Sequence, residues 1–184
     1  MKNKVMVTLA AACMLATVLS IAGCGGGGGG SAPVAPVYTQ AVLKLKTVGT
    51  PVAGKMAGGW QVTVGIPDAG LSIKTVSASD MTLDATAFFA SGVTPPTYTL
   101  QGSYNMPGSA SVHPYLLVGA AAGSSDLLAG TKVGEVATLV FDIAPGAALP
   151  KKSSFPLSEP IVSEAAAGAF ELKGVTFDVE LSFR

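Results

Sequence analysis

The strongest constraint on the fold is a strict alternation of apolar and polar side chains near the C-terminus. Apolar residues occupy every second position of this segment: Val175, Phe177, Val179, Leu181 and Phe183. Polar residues occupy the positions between them: Thr176, Asp178, Glu180 and Ser182. Because successive side chains of a β-strand point to opposite faces, this alternation predicts a strand with one buried and one solvated face.

The same two-residue period recurs through most of the chain after Tyr38. It is clear at 60–66, at 137–143 and around Leu43 and Leu45, and weaker at 71–76, 97–104, 111–118 and near Ile161. Clusters of Gly, Pro, Asp and Ser, the residues that favour turns, separate these segments. Many short strands at this spacing predict an all-β sandwich. Residues 82–90 and 125–129 are two short helix candidates.

The N-terminus has a different composition. A short basic start containing Lys2 and Lys4 precedes an apolar run from Val5 to Ala22, and small residues then lead to Cys24. A basic segment, an apolar segment and a small-residue exit are the parts of a secretory signal peptide. The run is also long enough for a transmembrane helix, which needs about 20 apolar residues. Three hydroxyl side chains dilute it and no basic cluster follows Cys24, which favours the signal peptide.

The tetrad Ile21-Ala22-Gly23-Cys24 resembles the lipobox of bacterial lipoproteins. The resemblance implies that Cys24 is acylated, becomes the mature N-terminus and ties an exported chain to a membrane. Gly25 stands where an inner-membrane retention aspartate would be, so the outer membrane or cell surface is favoured where the cell has one. The expected organisation is a signal peptide over 1–23, a lipidated Cys and Gly/Pro tether over 24–36, and a sandwich domain over 37–184.

Charge and cysteine content exclude several classes of function. Removing 23 of the 184 residues leaves 161, enough for one domain with a full core. Lysines and arginines nearly balance the acidic residues and form no basic stripe, which argues against a nucleic-acid partner. Cys13 lies in the signal peptide and Cys24 carries the lipid, so the domain has no disulfide or thiolate metal site. We expect no metal and no cofactor.

Three segments share a hydrophobic pattern with one known family. Residues 59–67 place a glycine before alternating apolar residues and a turn, residues 134–143 have the sequence GEVATLVFDI, and 174–183 form the closing strand. In this order they resemble strands of cohesin domains and, more loosely, the related carbohydrate-binding-module sandwiches. The resemblance implies a jelly-roll sandwich of about nine strands that binds proteins or polysaccharides. No aspartate-rich calcium loop matches, so we do not extend the calcium and dockerin binding of cohesin domains to this chain.

No set of residues suggests catalysis. The single histidine, His113, precedes Pro114, which is typical of a strand edge or loop rim. Glycosidases need two carboxylates across a cleft, and the pairs Asp80/Asp84 and Glu159/Glu164 carry no mark of a cleft. We therefore expect a non-enzymatic protein.

Aromatic residues are the candidate ligand contacts, because flat apolar rings match the C–H faces of sugars. Tyr98, Tyr104 and Tyr115 are the candidates; Tyr98 and Tyr104 share strand parity, which allows either a common groove or an inward orientation with Leu100. Trp60 is predicted to lie in the core with its alternating neighbours.

The sequence thus predicts a lipid-anchored interaction module of the cell envelope, whose partner is another envelope protein. A polysaccharide-binding module is the alternative, and an accessory subunit of a surface complex is the third possibility. A sheet face bearing Thr176, Ser182, Thr138 and Val140 is the predicted contact surface.

Replacing Cys24 tests the anchor. We predict that Cys24→Ala leaves the chain unprocessed or without an acyl group, because the lipid is attached through the cysteine sulfur. Intact-mass measurement of the chain isolated from membranes distinguishes the two forms, with Cys13→Ala as the matched control. A Cys24→Ala chain that is processed and acylated like the wild type would refute the lipoprotein interpretation.

Overall fold

The chain forms two antiparallel sheets in a computed structural model that describes residues 36–67, 70–77, 79–105, 113–123, 130–165 and 170–184. Its strands are β1 (Gln40–Gly49), β2 (Ala57–Gly65), β3 (Leu71–Ile73), β4 (Thr75–Ser77), β5 (Asp80–Leu83), β6 (Phe88–Ala90), β7 (Thr99–Asn105), β8 (Tyr115–Ala121), β9 (Glu135–Ile143), β10 (Leu157–Glu164) and β11 (Val175–Phe183). One 3₁₀ turn, Lys152–Ser154, is the only helical element within these ranges. None of the described residues forms a helix long and apolar enough to cross a membrane.

The first sheet, sheet A, has the strand order β11-β1-β9-β3, and β6 also pairs with β9. Strand β1 pairs with β11 in unbroken register from Ala41↔Phe183 to Gly49↔Val175. On the outer edge of β9, β3 lies beside Phe141 to Ile143 and β6 beside Ala137 to Leu139. Sheet A is therefore built around β1 and β9, the two strands with neighbours on both sides.

The second sheet, sheet B, has the order β10-β2-β8-β7-β5-β4. Its long strands β2 and β8 pair from Gly59↔Ala121 to Gly65↔Tyr115 without a register shift. Strand β10 is an edge strand whose pairing is interrupted between Ser158 and Ile161, where Glu159 has a φ of 50° and Pro160 follows. A bulge and a proline weaken an exposed edge as a template for further strands.

The core lies between the sheets and contains Trp60. This side chain is 4% exposed, and its ring centroid lies 6.5 Å from that of Phe88 and 5.9 Å from that of Phe177. Trp60 belongs to sheet B, whereas Phe88 and Phe177 belong to sheet A. One aromatic cluster therefore joins the two layers, as a sandwich requires. The prediction that Trp60 is a core residue is confirmed.

The predicted all-β sandwich is confirmed, with eleven strands in the described residues instead of about nine. One reason is that 71–76, predicted as one strand, is two. Leu71–Ile73 pairs with β9 in sheet A, and Thr75–Ser77 pairs with β5 at the edge of sheet B. The chain changes sheets at Lys74, a crossing that no hydrophobic pattern marks.

The helix predicted over 82–90 is absent. Asp84 ends β5 and forms a turn, in which its carboxylate accepts a hydrogen bond from the backbone N–H of Thr86 at 2.8 Å. Its carbonyl oxygen accepts hydrogen bonds from the N–H groups of Ala87 and Phe88. Aspartate side chains compete with helix in this way, and β6 begins directly after the turn. The other helix candidate, 125–129, lies outside the described residues.

Truncating a core aromatic should cost far more stability than truncating a surface one. Phe141 is fully buried in β9, whereas Phe89 is 40% exposed in the neighbouring β6. We predict that Phe141→Ala lowers the free energy of unfolding by about 3–5 kcal/mol, because it leaves a cavity in the core. Phe89→Ala is the matched control, with an expected loss under about 1 kcal/mol. Chemical denaturation measures both, and equal losses would mean that the core is placed wrongly.

Candidate binding face

The outer face of sheet A is charged. Lys44 and Lys46 of β1 point outward between two strands that carry acidic residues. Lys44 forms an ion pair with Glu135 of β9 at 2.9 Å, and Lys46 pairs with Glu180 of β11. Beside them, Lys152 pairs with Asp178 at 2.7 Å across a shallow groove along β11. Oppositely charged cross-strand neighbours stabilise the sheet modestly. Each of these charged groups already has an ion-pair partner within the domain.

These contacts shift the pKa values of the charged groups. Partial burial raises the pKa of Glu135, but hydrogen bonds from Lys44 and Ser91 and the nearby lysine charges outweigh it, so the net shift is downward. The hydrogen bond to Glu135 raises the pKa of Lys44. Hydrogen bonds from Lys152 and Lys46 lower the pKa values of Asp178 and Glu180, respectively. All of these shifts favour the charged forms, so these residues act as structural ion pairs.

The predicted contact surface on sheet A is wrong in part. Thr176 and Ser182 are exposed on β11, but Thr138 and Val140 of β9 are 5% and 6% exposed. Strand β6 and the residue after it lie against this part of β9, where the hydroxyl of Thr138 donates to Ser91 Oγ at 3.0 Å. The face is therefore interrupted by ion pairs and partly covered, and it offers no continuous surface of small residues.

Sheet B has the continuous surface. Its inward residues on β2 and β8 are buried, so the residues between them point outward. We call the outward residues of four neighbouring strands the neutral face: Ser158, Ile161 and Ser163 of β10; Gly59, Gln61, Thr63 and Gly65 of β2; Tyr115, Leu117, Gly119 and Ala121 of β8; and Thr99, Gln101, Ser103 and Asn105 of β7. None of these residues is charged. Three carboxylates lie at the borders: Glu159 in the β10 bulge, Asp80 in β5, and Glu164 at the end of β10, where it pairs with Lys55.

Polar and apolar residues are sorted by strand on the neutral face. The outward side chains of β8 are apolar apart from the tyrosine hydroxyl, whereas those of β2 and β7 are amides, hydroxyls and glycines. Leu117 is 37% exposed on β8, and Ile161 is 47% exposed on β10. Within the described part of the chain, the amides of Gln61 and Gln101 have no hydrogen-bond partner. Their donors and acceptors are therefore available to a ligand.

Gly119 makes a notch in the middle of this face. It lies opposite Gln61 on one side and Gln101 on the other. A Cβ at this position would lie 2.8 Å from the carbonyl oxygen of Trp60, closer than side chains tolerate. The close approach of β2 therefore requires glycine here, and no side chain at this position separates the two amides.

The structure separates the three candidate tyrosines. Tyr98 is 6% exposed and its hydroxyl donates to the carbonyl oxygen of Ala57, so its ring offers no face to a ligand. Tyr104 lies opposite the buried Leu116 and packs against the core. Tyr115 alone belongs to the neutral face, where it lies opposite Asn105. The inward orientation of Tyr98 and Tyr104, one of the two alternatives, is the one observed.

The candidate catalytic carboxylates make local contacts. Asp80 accepts a hydrogen bond from the N–H of Thr82, Asp84 forms an ion pair with Lys74 at 3.2 Å, and Glu164 pairs with Lys55. Glu159 is exposed in the β10 bulge, and His113 is exposed just before β8. Among the described residues, no three His, Cys, Asp or Glu side chains are grouped to hold a metal ion. Cys24 lies outside the described residues.

Sequence reasoning missed the residues of the neutral face except Tyr115. The alternation around Trp60 predicts that Gln61 and Thr63 point outward, but their neighbours come from strands far apart in the chain.

Comparison with protein-family models, with curated proteins and with solved structures finds no match for this chain.

Asp84 provides a test of the turn that ends β5. Hydrogen bonds from Thr86 and then the ion pair with Lys74 lower the pKa of Asp84 from 3.8 to about 2. A lowered pKa means that the folded state favours the carboxylate, so the stabilisation is present above pH 3.8 and lost as the pH falls towards 2. We predict that Asp84→Asn has a lower melting temperature than the wild type at pH 6 and that most of this difference is lost by pH 2.

Thermal melts from pH 2 to pH 6 measure this difference, and Glu159→Gln controls for the loss of one carboxylate. A difference of the same size at both ends of the pH range would mean that the charge of Asp84 does not stabilise the turn.

Proposed function

We propose that this chain is a lipid-anchored, non-enzymatic binding module of the cell envelope and that the neutral face of sheet B is its recognition surface. The observation that carries the proposal is the unequal distribution of charge. The outer face of sheet A carries interlocked ion pairs, whereas the residues of the neutral face carry none. The ion pair Lys55–Glu164 lies beyond that face, at the end of β10.

The energetics of desolvation support this choice of face. Covering a charged group without pairing it costs far more than covering an amide or hydroxyl that finds a new hydrogen bond. A partner on sheet A would have to cover or replace existing ion pairs. On the neutral face it would cover exposed Leu117 and Ile161 and meet unpaired amides. Contiguous exposed apolar and uncharged groups are typical of interaction surfaces.

The attachment point of the chain is compatible with this face. Residues before β1 join sheet A, where the N–H groups of Thr39 and Gln40 donate to the carbonyl oxygen of Arg184. Tyr38 packs on Phe183, with ring centroids 5.5 Å apart. The chain therefore enters the domain through β1 of sheet A, and the neutral face belongs to the other sheet.

Local contacts of the carboxylates support binding without catalysis. General acid–base chemistry needs a titratable group whose environment is matched to a reacting group. The lowered pKa values of Asp84, Asp178 and Glu180 instead follow from hydrogen bonds and ion pairs with neighbouring lysines and threonines. Such carboxylates stay ionised near neutral pH and stabilise turns and sheets.

Site-specific photo-cross-linking tests the proposed face in intact cells. The residue benzoylphenylalanine replaces Gln61 or Gln101 on the neutral face, and Thr176 or Ser182 on sheet A as matched controls. All four positions are on strands, and the controls are also exposed. We predict that envelope components are captured from positions 61 and 101 and at least about fivefold less from 176 and 182.

Capture mainly from positions 176 and 182 would refute the assignment of the face, and equal absence of capture from all four would refute the binding module. Circular dichroism of each purified variant confirms that the sandwich is retained.

A further inference from the structure

The neutral face has an apolar row along one strand, with polar rows on both sides. Outward residues of the central strand β8 form an apolar floor: two large side chains, Tyr115 and Leu117, are followed by two small residues, Gly119 and Ala121. Polar residues of β2 and β7 flank this floor, including Gln61 on one side and Gln101 on the other. The floor is about 20 Å long, because six residues of strand rise about 3.4 Å each. The two polar borders are about 10 Å apart, twice the strand spacing.

From this arrangement we infer that the neutral face binds a linear, uncharged polysaccharide whose chain lies along β8. The inference rests on the proposed function and names the ligand of the same surface. An extended polymer would place the apolar faces of its sugar rings on Leu117 and Tyr115. Its hydroxyl groups would then meet the borders formed by β2 and β7.

The hydrogen-bonding groups match this ligand. A side-chain amide supplies both donors and an acceptor, and a serine or threonine hydroxyl does the same with one group. Sugar hydroxyls have the same dual character, so each can pair with whichever group of Gln61 or Gln101 it meets. A ligand with fixed charges would find no counter-charge on the paired residues of this face and would lose its hydration without compensation.

The size and composition of the face favour a polymer over a protein. A stable protein–protein interface covers about 800 Å² on each partner, with aromatic and Arg anchors at its centre and few serines. Measured between strand axes, the four rows span about 20 by 15 Å, a footprint that fits a single polymer chain along β8. At the centre lies Gly119, which has no side chain to act as an anchor, between two amides. A narrow chain fills such a site, whereas a protein would need a wider surface.

The borders add selectivity against acidic polymers. Glu159 in the β10 bulge and Asp80 in β5 lie on opposite sides of the neutral face. No lysine or arginine belongs to the four rows of outward residues. An anionic polysaccharide would therefore meet negative borders, and like charges disfavour such a complex.

Affinity electrophoresis of the full chain in detergent tests the inference. The gels contain hydroxyethylcellulose, laminarin or dextran as neutral polymers, and alginate as the acidic one. We expect retardation by at least one neutral polymer and none by alginate. Gln101→Ala and Leu117→Ser should each weaken the retardation constant about five- to tenfold, because each removes one class of contact. Thr176→Ala and Ser182→Ala on sheet A are the matched controls and should leave it unchanged.

Failure of the inference is distinguishable from failure of the proposed function. If no neutral polymer retards the chain while cross-links from position 101 capture an envelope protein, the polysaccharide is refuted and the binding face stands. Retardation that Thr176→Ala weakens as much as Gln101→Ala would place the ligand elsewhere and refute both. Equal retardation by alginate would refute the selectivity for uncharged chains. Unchanged melting temperatures show that the variants are folded.

Discussion

The structure depends on the burial of Trp60 between the two sheets. Its indole packs against Phe88 and Phe177 from the opposite layer, and its N–H lies buried without a hydrogen-bond partner in the described structure. An unsatisfied donor costs free energy, so the apolar area and the aromatic contacts of the indole must outweigh that cost. The edge-on geometry with Phe88, at an interplanar angle of 88°, is a favoured arrangement for aromatic pairs.

Burial of this one side chain sets the orientation of its neighbours. Strand side chains alternate, so a slip of β2 by one residue would expose Trp60 and bury Gln61. Continuous pairing of β2 with β8 and of β8 with β7 carries the same parity across the sheet. The core thus determines which residues point outward on the neutral face, and Gly119 follows from the close approach of the two central strands. The burial of Trp60 therefore constrains both the fold and the orientation of the candidate binding face.

Sequence reasoning reached the fold class because strand alternation is a local signal. The segments around Trp60, Phe141 and Phe177 have a two-residue period that depends only on which face is buried. Two features depend on tertiary structure and were missed: the sheet change at Lys74 and the turn at Asp84, where one carboxylate outweighs an apolar pattern. The neutral face was missed for the same reason, since Gln61 and Gln101 become neighbours of Gly119 only through strand pairing.

Amide chemical shifts of the isotopically labelled chain during titration with a neutral oligosaccharide test the central claim most directly. Binding at the neutral face predicts shifts that saturate, confined to β2, β7, β8 and β10 and largest around Gly119. Saturating shifts confined to β1, β9 and β11, or no shifts at ligand concentrations that retard the chain in gels, would contradict it.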